Sequence, residues 1–161
     1  MKSKLDKEKR KKEKLRLQKR ANDIHTINKF VTDSDKTLGV LHALPVKAKQ
    51  DITLNVAEIT KFCSLYAKDT QLLILQSNLE ISKLSLEKEE LLFKSSHITG
   101  NIFQHIARKI SISVNSAKNN RNMVASQKLL SQYEQEAQIL SDALKICSEF
   151  GRRLSFYLSF E

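Results

Sequence analysis

The sequence predicts an all-α protein: a helical bundle over residues 21–161, ending in a long coiled-coil-like helix and preceded by a basic N-terminal arm, residues 1–20. Three observations predict it. Chain breakers are scarce, with three Gly and one Pro in 161 residues, whereas a sandwich or barrel needs a turn roughly every 8–12 residues. Apolar residues recur at three- and four-residue steps through most of the chain, which is the period of one helix face. The charge is also segregated. Residues 1–20 hold eleven Lys/Arg and three acids, net +8, while the remaining 141 residues carry only net +2.

The elements follow in order. Ile24, Ile27 and Val31 extend a first helix from the arm to about Val31, where Thr32-Asp33-Ser34-Asp35 reads as a turn and capping cluster. Residues 36–45, with Gly39 and Pro45, read as a turn or short helical segment. Ile52, Val56, Ile59, Cys63 and Tyr66 then form one stripe with Phe62 beside it, and Asp69 is positioned to cap the next helix. Residues 70–94 are apolar on two sides: Leu72, Leu75, Leu79 and Leu86 on one, Ile74, Ile81, Leu84 and Leu91 on the other. That pattern predicts a helix buried on both faces in mid-bundle. Leu79, Ile81, Leu84 and Leu86 also fit a strand alternation, but Glu87-Lys88-Glu89-Glu90 continues as a good helix former.

Ser95 to Gly100 is a break, and Ile102, Phe103, Ile106, Ala107, Ile110 and Val114 start an amphipathic helix. Ser116 to Asn122 reads as a polar linker. The last segment steps through Leu130, Tyr133, Ala137, Leu140, Leu144, Cys147, Gly151, Leu154 and Leu158, a coiled-coil seam by its spacing. Leu130, Tyr133, Leu140, Leu144 and Leu154 are therefore the expected interface with a protein partner or a second copy. About five helices are expected in all.

Several functional classes lack their signatures. The longest apolar run, Leu72 to Leu75, is four residues against the roughly 20 that span a bilayer. The N-terminus carries no apolar core of a secretory signal, so the expected location is cytoplasmic, with no membrane insertion. Cys63 and Cys147 sit among core-type residues and read as buried, reduced thiols. His25, His42, His97 and His105 include no pair at helical zinc spacing, and there is no CxxC. No phosphate-cradling glycine loop or G-x-S-x-G elbow appears. Glu58, Glu80 and Glu136 fall at outward helical positions. No enzymatic activity, cofactor, metal or small-molecule substrate is expected.

A cationic arm attracts polyanions by releasing their counterions. Lys9, Arg10, Lys11, Lys12, Lys14, Arg16, Lys19 and Arg20 are the candidate phosphate contacts. Competing readings of the arm are a solvated tail or a contact with an acidic protein or membrane surface. Leu5, Leu15 and Leu17 give it too little apolar area to hold on lipid. A second candidate contact is the helix after Gly100. Asn101, Gln104, His105, Arg108 and Lys109 take its polar positions, with Ile102, Phe103, Ile106 and Ile110 facing inward. Amides and a guanidinium on one face suit base edges and phosphates; an ordinary surface helix is the alternative.

This segment, Gly100-Asn101-Ile102-Phe103-Gln104-His105-Ile106-Ala107-Arg108, resembles the Gly-Asn-Asn-Leu-Asn-Gln-Ile-Ala-Arg signature of the plasmid mobilisation (MobC-type) relaxosome accessory family. Gly100, Asn101, Ile106, Ala107 and Arg108 match, and Phe103 stands for a leucine. Ile102 replaces the second Asn, and Gln104-His105 replaces Asn-Gln. The ribbon-helix-helix-like strand that precedes the motif in that family has no counterpart pattern here. The resemblance implies a nucleic-acid-binding accessory, acting on DNA beside a relaxase that does the nicking. The alternatives are a helical adaptor or regulator in a secretion or conjugation machine that binds proteins only, and a structural coiled-coil component.

Overall fold

The computed structural model describes residues 2–159 and is all-α. Helix α1 runs Lys2–Val40, a 3-10 turn covers Leu41–Ala43, α2 runs Val46–Ser96 and α3 runs Ile102–Leu158, with no strand among the described residues. Three long helices thus stand where about five were expected. The described residues form two compact units. One holds the residues up to Asp69 and those from Glu136 onward; the other is Thr70–Gln135.

The first unit is a three-helix bundle. Tyr66 and Asp23 are hydrogen-bonded, as are Arg20 and Asp69, so α1 and α2 are antiparallel. Arg20 bonds Glu136, and further along both helices Arg153 bonds the Leu38 carbonyl, so α1 and α3 are parallel. The core between them contains Ile24, Ile27, Leu41, Val56, Ile59, Cys63, Tyr66, Leu140, Ala143, Cys147, Phe150 and Leu154. On α2 the expected stripe is the observed one, with Ile52 and Phe62 packed against it. Cys63 and Cys147 are buried free thiols, as expected.

From Leu140 on, the α3 seam differs from the expected one at every second position as far as Leu154. Leu140, Cys147 and Leu154 point inward, but the positions between them are Ala143 and Phe150, not Leu144 and Gly151. Both sets step by threes and fours. Phe150 decides between them, because its ring packs tilted against Phe30, centroids 5.7 Å apart, and only 1% of it is exposed. Turning it outward would surrender one of the largest apolar areas in the unit. Leu144 is left 38% exposed.

Helix α1 also overruns its expected end. Thr32 and Ser34 do not turn the chain; their hydroxyls bond the Lys29 and Val31 carbonyls within the helix, a local arrangement that absorbs such residues mid-helix. The reversal comes at Leu41–Ala43, where Leu41 is fully buried. Leu44 is extended at φ −76°, ψ 147°, as expected before proline. Pro45 opens α2, its carbonyl accepting the Lys49 N–H at 3.1 Å. Asp69 caps nothing, because α2 runs straight through it.

The second unit is an antiparallel helical hairpin, with the Asn119 amide donating to the Leu84 carbonyl at 2.9 Å. Ser95 to Gly100 is a break between helices from Ser96 onward, and Gly100 takes φ +126°, open to glycine at little cost. A Cβ there would also press on Gln104. Asn101 accepts the Gln104 N–H at 2.9 Å and so caps α3. The expected linker at Ser116–Asn122 is continuous helix. Helix α2 buries only one of its two apolar faces here: Ile74, Ile81, Leu84 and Leu91 turn inward, while Leu72, Leu75, Leu79 and Leu86 are exposed.

The two seams make opposite predictions for α3. Phe150→Ala is expected to cost about 3–5 kcal/mol in urea unfolding followed by circular dichroism. Leu144→Ala is expected to cost under about 1 kcal/mol. Equal losses would restore Leu144 to the core.

Candidate nucleic-acid interface

Residues 3–19 of α1 are all exposed. Successive helical residues are 100° apart, so Lys9, Arg10, Lys11 and Lys12 alone point to all sides of the helix. Lys14 and Lys19 add to the same cationic sleeve, and Arg16 joins it while bonded to Glu13 at 2.6 Å. That guanidinium, by hydrogen bond and charge, holds the Glu13 carboxyl below the ordinary value. No acid lies in the first turn of α1. Lys4 in that turn sits at the positive end of the helix dipole and repels it, and the cations further along repel one another. A polyanion relieves both strains.

Arg20 departs from its expected role as a phosphate contact. Its side chain is 7% exposed and bonded to Glu136 at 2.6 Å and Asp69 at 3.3 Å. Its guanidinium lies 5.9 Å from the Tyr66 ring centre. Glu136, expected outward, is turned in to meet it. These partners lie 49 and 116 residues away, which no local pattern reveals. One signal was present: Arg20 falls four residues before Ile24, and Glu136 four before Leu140, on the apolar stripes themselves.

The second candidate segment is arranged differently from the expectation. Asn101, Gln104, Arg108 and Lys109 are exposed, but Asn101 is engaged as a cap and Arg108 donates to the Thr99 carbonyl at 2.6 Å. Two residues of the Gly-Asn…Arg pattern thus shape the hairpin loop. Ile102, Phe103, Ile106 and Ile110, expected inward, are exposed, Phe103 by 84%. The face turned to α2 is instead His105, Ile112, Ser116 and Asn119. The cap at Asn101 and the Asn119 bond to Leu84 set this rotation.

Of the expected partner interface, Leu140 and Leu154 are buried in the chain's own core and are closed to a partner. Leu130 and Tyr133 are half-buried, and Leu144 is exposed. Among the described residues, no group of three or more His, Cys, Asp or Glu is placed to hold a metal ion. No helix among them is long and apolar enough to cross a membrane. In comparison with known proteins, no family model, curated protein or solved structure matches the chain.

Two predictions follow from the Arg20 cluster. Arg20→Ala strands Glu136 in a nearly dry site and is expected to cost about 3–5 kcal/mol by urea titration; Arg16→Ala, on the exposed surface, leaves the midpoint in place. Burial, and then the bond to Asp23, push the Tyr66 hydroxyl from 10 up to about 12. Below pH 10 it is protonated in both folded and unfolded chains. Above that the unfolded chain loses its proton first, so stability falls until the folded hydroxyl ionises near pH 12. Tyr66→Phe is expected to remove that part of the fall in a pH series of unfolding. What remains above pH 9 belongs to Cys63, whose thiol is raised to about 11, and to Cys147, also raised, both mainly by burial.

Proposed function

We propose that this protein is a nucleic-acid-binding accessory whose α1 carries the main contact. The observation behind this reading is the sleeve of exposed Lys and Arg over residues 3–19. Those residues make a helix roughly 25 Å long, of a size that the DNA major groove admits. Cations on all its sides reach phosphates on both walls, an attraction indifferent to sequence. Gln104 and Lys109 on α3 supply a second, smaller contact. On the Gly100–Arg108 resemblance, the chain serves as a MobC-type relaxosome accessory in the cytoplasm, positioning DNA for a relaxase. The 3-4 stepping of α3 is a coiled-coil seam closed within the chain, with Leu144 left outside for a protein partner.

The test is fluorescence anisotropy of labelled duplex and single-stranded DNA over a salt series. Deleting residues 1–20 would remove Arg20 and with it the bundle's ion cluster, so the comparison uses the full chain carrying Lys9→Gln, Arg10→Gln, Lys11→Gln and Lys12→Gln. If about five side chains meet duplex phosphates, log K falls with log salt at a slope near −4.5. The fourfold variant is expected to flatten that slope by about three or more. No binding by the unaltered chain at about 50 mM salt leaves the protein-binding adaptor as the reading. Gln104→Ala with Lys109→Gln tests the second contact, which is removed if affinity and slope stay the same.

A further inference from the structure

The loop end of the α2–α3 hairpin holds a cleft of about 460 Å³, within the size range of small-molecule sites. Its floor is aliphatic, with Leu91, Ile98 and Ile112 half-buried there. Its rim carries Lys94, His97 and Arg108, with the Ser111 hydroxyl and the Asn115 amide beside them. No carboxylate is among the described residues that line it. Glu90, one turn before Lys94, lines the adjoining groove with Glu80 and Glu87, and Lys94 borders both. The positive character of the cleft therefore rests on His97 and Arg108, which do not border that groove.

Both side chains are held by the hairpin itself. The His97 ring stacks on Phe93 with centroids 4.2 Å apart. Its Nδ1 lies 3.0 Å from the Phe93 carbonyl, which only accepts, so Nδ1 carries a proton and Nε2 is the ring nitrogen left for a ligand. Arg108 donates to the Thr99 carbonyl at 2.6 Å, which fixes the guanidinium at the loop. Among the described residues, none of Lys94, His97 and Arg108 forms an ion pair. A cationic ligand meets repulsion here, and a neutral one leaves the guanidinium without its counter-charge. A carboxylate matches one edge of the guanidinium and little more. A phosphate monoester brings up to about two charges and three acceptor oxygens, enough for guanidinium, imidazole and hydroxyl together. The aliphatic floor calls for an apolar body on that head. We infer that this cleft binds a small phosphomonoester with an apolar body, its phosphate on Arg108, His97 and Ser111 and its body on Leu91, Ile98 and Ile112. The inference does not depend on the role proposed for the cationic sleeve of α1.

The experiment is a titration of the full chain with phenyl phosphate, followed through amide chemical shifts by NMR. Binding is expected with a Kd below about 1 mM and with shifts at Ser111 and Asn115. Inorganic phosphate lacks the apolar body and is expected to bind at least about tenfold more weakly. Benzoate keeps the ring but brings less charge and fewer acceptors, and is expected to be weaker by about tenfold as well. Arg108→Gln is expected to weaken phenyl phosphate about tenfold or more. Because Arg108 also holds Thr99, Ser111→Glu is the second variant. It sets a carboxylate in the cleft, leaves the loop bonds in place, and is expected to abolish binding with the urea midpoint unchanged. The fourfold Gln variant of α1 is expected to bind phenyl phosphate as the unaltered chain does, which separates the cleft from the proposed nucleic-acid interface. Four results overturn the inference: no shift at about 10 mM phenyl phosphate; equal binding of inorganic phosphate or benzoate; full-strength binding by Ser111→Glu; or loss of binding in the fourfold variant.

Discussion

The guanidinium of Arg20 sets the register of the three-helix unit. A cation with 7% of its side chain exposed is tolerable only with its carboxylates in place, and these come from two different helices, Asp69 on α2 and Glu136 on α3. Tyr66 lies over the same guanidinium and bonds Asp23 on α1. Sliding any of the three helices by one turn would break at least one of these bonds. The same residue marks where the chain's character changes. Before it, every described side chain is exposed; after it, the stripe of Ile24 and Ile27 enters the core.

The fold class was legible because it rests on period. The stripe on α2 and the inward positions Leu140, Cys147 and Leu154 were read correctly from spacing alone. Where spacing admits two solutions, as with Ala143 and Phe150 against Leu144 and Gly151, only the neighbouring helix decides, and Phe30 supplies that decision. Polar clusters misled for a related reason. Thr32 to Asp35 and Ser116 to Asn122 have the composition of turns, yet Thr32 and Ser34 bond within their helix and the Asn119 amide donates across to another. The cationic sleeve was visible as charge; its loss of Arg20 to the core was signalled only by the place of Arg20 on the apolar stripe, since both partners are remote in sequence. The Gly100 segment was legible as a helix start and misread as to which face looks outward.

The second unit inverts the usual arrangement of a helical hairpin. Its inner seam includes Thr70, Ser77 and Asn119 beside Leu84, while Leu, Ile and Phe line its outer faces. The Asn119 side-chain amide oxygen, Oδ1, has no hydrogen-bond partner there. Amides and hydroxyls fix the alignment of two helices but add little burial energy. The larger apolar gain is therefore reserved for whatever covers the outside. The first unit, by contrast, encloses Phe30, Tyr66 and Phe150 between its helices.

Both thiols lie in the three-helix core, and their environment makes them poor nucleophiles. The folded chain accordingly offers no reactive thiol to alkylating reagents or to neighbouring molecules. Sulfur becomes available only when the helices part, so alkylating reagents act on this protein as a clock for opening of the bundle, and two clocks on separate helices distinguish a local breathing motion from complete disassembly.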